Sequence, residues 1–590
     1  MKISQISIGM LLSLCASLVG CQTTNNSASP SSVESSETKQ VSVSGESSQF
    51  GQDNAQASLE TKVVSTILKR LHTRFSRSHL NQSLSDSERE QNTFNSIVEI
   101  EITAKCLFTP AEVQSLREQT QSEMINEASQ GTFKHGNALF TAIDERHLEK
   151  LTYQTHLLTI NNNLVTDAPS DLVACWQHQF EEDRQWLEYM GYDSDTAKTF
   201  LNRSYESKRE ALISQSLRQR AERWAVAYAK GYGPSNGYLP GYQGPEFING
   251  DEGIGVMLKS HRYGAEVIAN SYVAVNPDLI DGDILVAYAD NQQAMVPFIN
   301  TPLNRIIALI RGEPGSQIKL RVYRPTTGEI RTVQASRDKS ARKPGVSYTL
   351  EADSQVALVR LTSITVGVSD ELVAISHQLQ QQDIDTLILD LRGNGGGALS
   401  ELSKIFGIFG VNGEAYLVNS IYRTTSQQAE QIAQPFSGKV IVLVDQDTGS
   451  GAEMLAATLQ DYGRAIVIGE NTYGLGTVQQ YRSLDHIYDM FNDKLGYVGY
   501  TIATLHRVDG TLLHNQGVTP DVIIPQGKRK NNRIEDMDID DIDTDWTQNH
   551  RQDAEIRELQ KHYSYLQQSQ FSKEETTTLA IEMAKALANS

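Results

Sequence analysis

Two periodicities divide the chain. From 60 to 230 apolar residues recur at helical spacing: Val63, Val64, Ile67, Leu68 and Leu71 share one helix face. The segments 111–128 and 171–189 repeat the pattern, so this region is predicted helical. Further on, the β-branched run 440–444 and the short apolar runs at 356–359, 386–390 and 465–468 read as strands. Helical patterns at 370–379 and 453–459 separate them, and that alternation predicts an α/β layer. A strand-like run follows at 497–504, and 553–587 predicts one or two amphipathic helices packed back on the N-terminal helices. Residues 22–58 hold almost no large apolar side chains and predict a flexible tether.

Composition narrows the class. The 590 residues call for several domains, and the net charge of −20 argues against a nucleic-acid partner. Asp536, Asp538, Asp540, Asp541, Asp543 and Asp545 lack the glycine and closing glutamate of a calcium loop. No metal or cofactor is expected. Basic residues and histidines of the helical region read as solvated faces and are assigned no chemistry.

The N-terminus carries Lys2, an apolar stretch from Ile6 to Val19, and then Gly20-Cys21. The stretch is too short for a mature membrane span and has the shape of a secretory signal. Its end resembles a bacterial lipoprotein box, which implies cleavage before Cys21 and lipidation there. Gln22 after the lipid site resembles sorting to the outer membrane. Cys15 leaves with the signal, so Cys106 and Cys175 remain, either as a disulfide or as two separately buried thiols.

The candidate chemistry sits at Ser450, on the turn Gly449-Ser450-Gly451 between a strand and a helix. Such a turn exposes a side chain beside helix N-terminal N–H groups, an arrangement suited to a nucleophile. It would equally serve as a plain helix cap. Around it stand Glu453, Asp461, Gly463-Arg464-Ala465, Gly469-Glu470, Thr472, Gly474, Gly476 and Val478-Gln479. Their order and spacing resemble the C-terminal processing (tail-specific) serine peptidase family. Arg74 to His79 resembles a motif of that family's long periplasmic branch, and 517–521 resembles its closing motif.

The resemblance implies a multidomain α+β fold. Its parts are a signal peptide (1–20), a tether (21–58), an N-terminal helical region (59–245), a PDZ-like β-domain (246–340), a protease-like α/β core (341–526), and an acidic linker with C-terminal helices (527–590). It implies Ser450 as nucleophile, Asp461 in a supporting role, and an oxyanion hole from the N–H groups of Gly451 with Gly396 and Gly397. Gly253, Ile254 and Gly255 would bind a peptide C-terminus through backbone N–H groups.

Two departures stand out. The family places its general-base lysine twenty-five residues after the serine, where this chain has Leu475. A family segment near the cleft is also altered at Gly233, Ser235 and Asn236. A leucine has no lone pair to accept a proton, and Asp461 and Glu453 are weak bases at ordinary pKa values. His486 is the nearest histidine in sequence, with nothing to bring it to Ser450.

The favoured reading is therefore a lipid-anchored, periplasm-facing binding protein of this family. Its partners would be polypeptide C-termini or unfolded envelope proteins, with an adaptor protein possible. The alternative is an active serine endopeptidase with an unrecognised base. A loose dinucleotide fingerprint, Gly393-x-Gly395-x-x-Ala398, fails because the next strand ends in Asn419, where an acid is required.

Overall fold

The computed structural model describes residues 47–80, 83–159, 166, 168–241, 252–268, 276, 278–290, 294–339, 345–352, 354–486, 489, 494–526, 540–544, 546, 553–563, 566 and 570–588. Cys21 lies outside them. The chain is a mixed α+β protein with a helical N-terminal part and several sheets.

The central sheet has six strands, in the order Val346–Leu350, Val356–Leu361, Thr386–Asp390, Lys439–Val444, Ile466–Gly469, Val522–Ile523. The first pair is antiparallel and the rest are parallel. Parallel strands need covering on both faces, which is why these segments read as unbroken apolar runs. The helices Val368–Gln381, Leu399–Ile408 and Gly451–Asp461 cover one face through Leu372, Leu402, Phe406, Met454 and Leu455. The C-terminal helices Asp553–His562 and Lys573–Ala588 cover the other, burying Leu559, Met583 and Leu587 against Ile388, Ile441 and Ile468. This corrects the expectation that they pack on the N-terminal helices: the second sheet face needed a cover.

A five-stranded sheet adjoins this layer. Its long strand Tyr497–Arg507 pairs with Thr477–Ser483 along one edge, and with Gly237–Leu239 and Glu414–Ser420 along the other. The N-terminal helices pack here through Phe75, Tyr228, Tyr232 and Tyr500. The first helix begins at Ser47, inside the segment expected to be a tether.

The Arg74–His79 motif is not a solvated face. Phe75 and His79 are fully buried, and His79 Nε2 lies 3.2 Å from Asn236 Oδ1. That oxygen also accepts from the Thr501 N–H at 3.0 Å. The altered segment at 233–236 thus joins the first helix to the long strand.

A third, β-rich unit spans 252–339. Its sheet runs Met257–His261, Gly264–Ile268, Ile284–Asp290, Gln317–Arg324, Glu329–Ser336, with the helix Leu303–Ile310 packed against it. Met257–His261 is an edge strand. This unit docks on the helix Ser170–Tyr189 by a Trp186–Tyr263 stack at 4.3 Å, and Arg321 donates to the Met190 carbonyl at 2.8 Å. Cys106 and Cys175 form a disulfide within the helical part.

Candidate active site

Ser450 stands between the end of the strand Lys439–Val444 and the helix Gly451–Asp461. Its backbone is at φ +52°, a left-handed conformation costly for a side-chain-bearing residue. Two neighbouring loops hold the turn. Asn394 O accepts from Gly449 N at 2.9 Å, and Thr448 O accepts from Tyr473 N at 2.9 Å.

The glycine loop 393–397 lies directly against this turn. A Cβ on Gly396 would come 2.7 Å from Gly451 N and 2.9 Å from Ser450 Cβ. Ile364 holds the loop in place: its N–H donates to Gly396 O at 3.0 Å and its carbonyl accepts from Ala398 N at 2.7 Å. That pattern leaves the Gly397 N–H without an acceptor in the bridge. The Gly451 N–H, at the first position of its helix, has no intrahelical acceptor. Among the described residues these two N–H groups, on facing loops beside Ser450, have no acceptor. The expectation for Gly396 is corrected, because its N–H donates to Asn394 Oδ1 at 2.9 Å.

Beneath the serine lies Glu453, which is fully buried. Oε2 accepts from Ser450 N at 2.7 Å and Leu475 N at 2.8 Å. Oε1 accepts from Thr472 Oγ1 at 2.5 Å and Gly474 N at 2.6 Å. One carboxylate therefore ties the serine turn to the 472–475 loop. Burial pushes Glu453 up to about 7, against the pull of the four donors. Sequence reasoning cast this residue only as a poor base. The signal was available: an acid three residues after a turn serine is the spacing that reaches back to the helix start.

Leu475 stands beside Ser450, since the two backbone nitrogens donate to the same oxygen. Its side chain is 7% exposed. Nearby, Gln479 donates through Nε2 to Thr501 Oγ1 at 2.8 Å, while its Oε1 is buried without a partner.

Asp461 is corrected. It ends the helix that Gly451 begins, about 16 Å along the axis, and its carboxylate pairs with Arg507. It does not support the serine. His486 lies past the far end of the strand Thr477–Ser483, which alone spans roughly 20 Å, and its N–H donates to Asp489 at 2.6 Å. Among the described residues no group of His, Cys, Asp and Glu has the arrangement of a metal site.

Comparison with known sequences matches residues 355–524 to Peptidase family S41. The tail-specific protease of Haemophilus influenzae is 25% identical over 491 residues, covering 78% of this chain and 70% of its own. These matches support the C-terminal processing peptidase family, with residues 355–524 as its Peptidase family S41 segment. The carboxyl-terminal-processing protease of a Picosynechococcus species is 31% identical over 229 residues, 38% of this chain and 53% of that relative. Among solved structures, the photosystem II D1 C-terminal processing protease aligns over 55% of this chain and 88% of its own, at 22% identity and TM-score 0.39. The family segment encloses the Ser450 turn, the glycine loop, Glu453 and Leu475.

Proposed function

We propose that this chain is a lipid-anchored member of the family that binds polypeptide C-termini or unfolded envelope proteins and cleaves them little or not at all. The observation that carries the reading is Leu475. It occupies the position of the family's general-base lysine, is buried, and lies one carboxylate oxygen away from Ser450. Attack by Ser450 Oγ requires loss of its proton, and a leucine side chain cannot take it. Loss of a positioned general base costs about 10²–10⁴-fold in rate.

In this reading the unit at 246–340 acts as a PDZ-like recognition domain. Support comes from its edge strand Met257–His261, the helix Leu303–Ile310 packed beside it, and the Gly253–Gly255 turn at its start. Around Gly253 a side chain would meet nothing within 4 Å, whereas Ile254 is buried in the unit's core and offers only its backbone. An incoming peptide would add a strand to the edge and lay its carboxylate on the turn. Lipidation at Cys21 would hold the protein at the periplasmic face of the outer membrane, with an adaptor protein as a possible further partner.

The second reading, an active endopeptidase with another base, is favoured by one feature. The strained Ser450 turn and the Gly397–Gly451 N–H pair remain in place. The test is turnover of an unfolded protein by the parent, Ser450→Ala and Leu475→Lys. Little parental cleavage, with a gain in Leu475→Lys that depends on Ser450, supports the first reading. Parental turnover abolished by Ser450→Ala establishes the second.

A further inference from the structure

Where the β-rich unit meets the helical part, Lys150 is buried and Lys208 half-buried, and among the described residues neither forms an ion pair, the carboxylate acting on both being Asp183. Lys150, on the helix Lys134–Thr159, is 7% exposed. Its ammonium donates to the Lys105 carbonyl at 2.8 Å and to Gln179 Oε1. Lys208, on the helix Ser194–Ile213, donates to Asn300 Oδ1 at 2.8 Å. All these acceptors are neutral, and among the described residues neither lysine has a carboxylate within ion-pair distance.

The carboxylates close by are committed. Asp183 accepts from Arg262 at 3.0 Å and from Asn300 at 3.3 Å. Glu101 pairs with Lys105 and Arg223, and Glu182 with Arg262. One turn before Lys208, on the same helix face, Tyr205 is 2% exposed and its hydroxyl has no partner among the described residues. Gln179, which accepts from Lys150, and Asp183, which accepts from the Lys208 partner Asn300, follow each other on one face of the helix Ser170–Tyr189.

We infer that Lys150, Lys208 and Tyr205 form a binding site for a small tetrahedral oxyanion such as phosphate or sulfate, at the seam between the helical part and the β-rich unit. Two ammonium groups and a phenol without an acidic acceptor are a donor set that an oxyanion completes. Asn300 belongs to the β-rich unit, so an anion held by Lys208 would fasten that unit to the helices.

Proton uptake accompanies binding. Burial first, then Lys208 and Arg262, push Lys150 down to about 7, with Asp183 opposing. Burial, with Lys105 and Arg262, pushes Lys208 down to about 8 against the opposing pull of Asp183. His147 is held near 2 by burial and the surrounding lysines, and stays neutral in the working range. Burial raises Asp183 against the pull of Arg262 and Lys208. The anion requires charged lysines, so affinity is full below about pH 7 and is lost as the pH rises through about 8.

Sulfate is the suitable probe, because its charge is constant across this range. Isothermal titration calorimetry and thermal melting of the whole chain, at fixed ionic strength, test the site. At pH 6 the parent is expected to bind sulfate and melt higher. A sulfate concentration about ten times Kd favours the folded state about elevenfold. Lys150→Met and Lys208→Met each remove an unpaired ammonium and keep an apolar stem, so both are expected to fold and to bind at least about tenfold more weakly. Tyr205→Phe weakens binding less. No sulfate heat with the parent at pH 6 would overturn the site, as would undiminished binding in both methionine variants or binding that persists at pH 9.

Discussion

Gly396→Ala tests the contact between the glycine loop and the Ser450 turn, with Gly393→Ala as its control. Both glycines have positive φ, +96° and +73°, so each alanine takes on a left-handed backbone penalty of about 1–2 kcal/mol. Their surroundings differ. A Cβ at 396 meets Gly451 N at 2.7 Å, Gly449 O at 2.8 Å and Ser450 Cβ at 2.9 Å, none of which can swing aside. At 393 the nearest atom is Lys573 Nζ at 3.8 Å, the end of a flexible side chain. Overpacking against fixed neighbours adds about 1–3 kcal/mol. Gly396→Ala is therefore expected to cost about 2–5 kcal/mol and Gly393→Ala about 1–2 kcal/mol. Denaturant unfolding measures both, using midpoint shifts at constant slope. The strain falls on Ser450 itself, so Gly396→Ala should also reduce labelling of any serine-reactive probe that marks the parent. Equal costs at the two positions would refute the contact argument.

Four further outcomes are expected. Glu453 is pushed up to about 7 from an ordinary 4.5, so the folded protein holds its proton over a range where the unfolded chain has released it. Its contribution to stability therefore falls as pH rises from about 4.5 to 7, by about 3 kcal/mol, and Glu453→Gln should remove that component from the pH profile of unfolding. Joint Cys106→Ser and Cys175→Ser replacement, opening a bridge across 69 positions, should lower stability by about 4 kcal/mol, read by thermal melting. Peptides with a free apolar C-terminus should bind the unit at 246–340 markedly better than their amides in fluorescence anisotropy, and equal binding would remove the carboxylate-turn reading. Cys21→Ala should move the protein from the membrane to the soluble periplasmic fraction, and unchanged fractionation would remove the lipid anchor.

The parallel core was legible because its strands are buried on both faces, so 386–390 and 440–444 read as short, nearly unbroken apolar runs of strand length. The Ser450 turn was legible for a local reason too, the two flanking glycines between a strand and a helix. What failed depended on distant partners. Asp461 shares the expected order and spacing with Ser450, but eleven residues of helix carry it to the opposite end, into the hand of Arg507. His79 looks like any polar residue near a helix end until Asn236, 157 positions later, is placed against it. Gly396 and Gly397 are interchangeable in sequence, and only the register against Ile364 decides which N–H is free.

That same distinction between local and distant determinants bears on Leu475. The backbone at 475 is fixed by its N–H to Glu453, and Gly474 and Thr472 reach the same carboxylate. None of these bonds uses the side chain at 475, so the loop geometry is indifferent to whether a lysine or a leucine stands there. A buried amine at this position would carry the cost of desolvation or of neutralisation, whereas a leucine gains about 1.5–3 kcal/mol from its burial. In the proposed reading, a leucine in place of the base would leave the serine turn, the glycine loop and their cross-ties standing, and would even favour them. In that reading chemistry and architecture rest on different atoms of one residue: the side chain for the proton, the peptide N–H for the fold. A lysine introduced at 475 would therefore enter a loop already held in place, and Gln479 Oε1, four residues on, is a buried acceptor without a partner among the described residues.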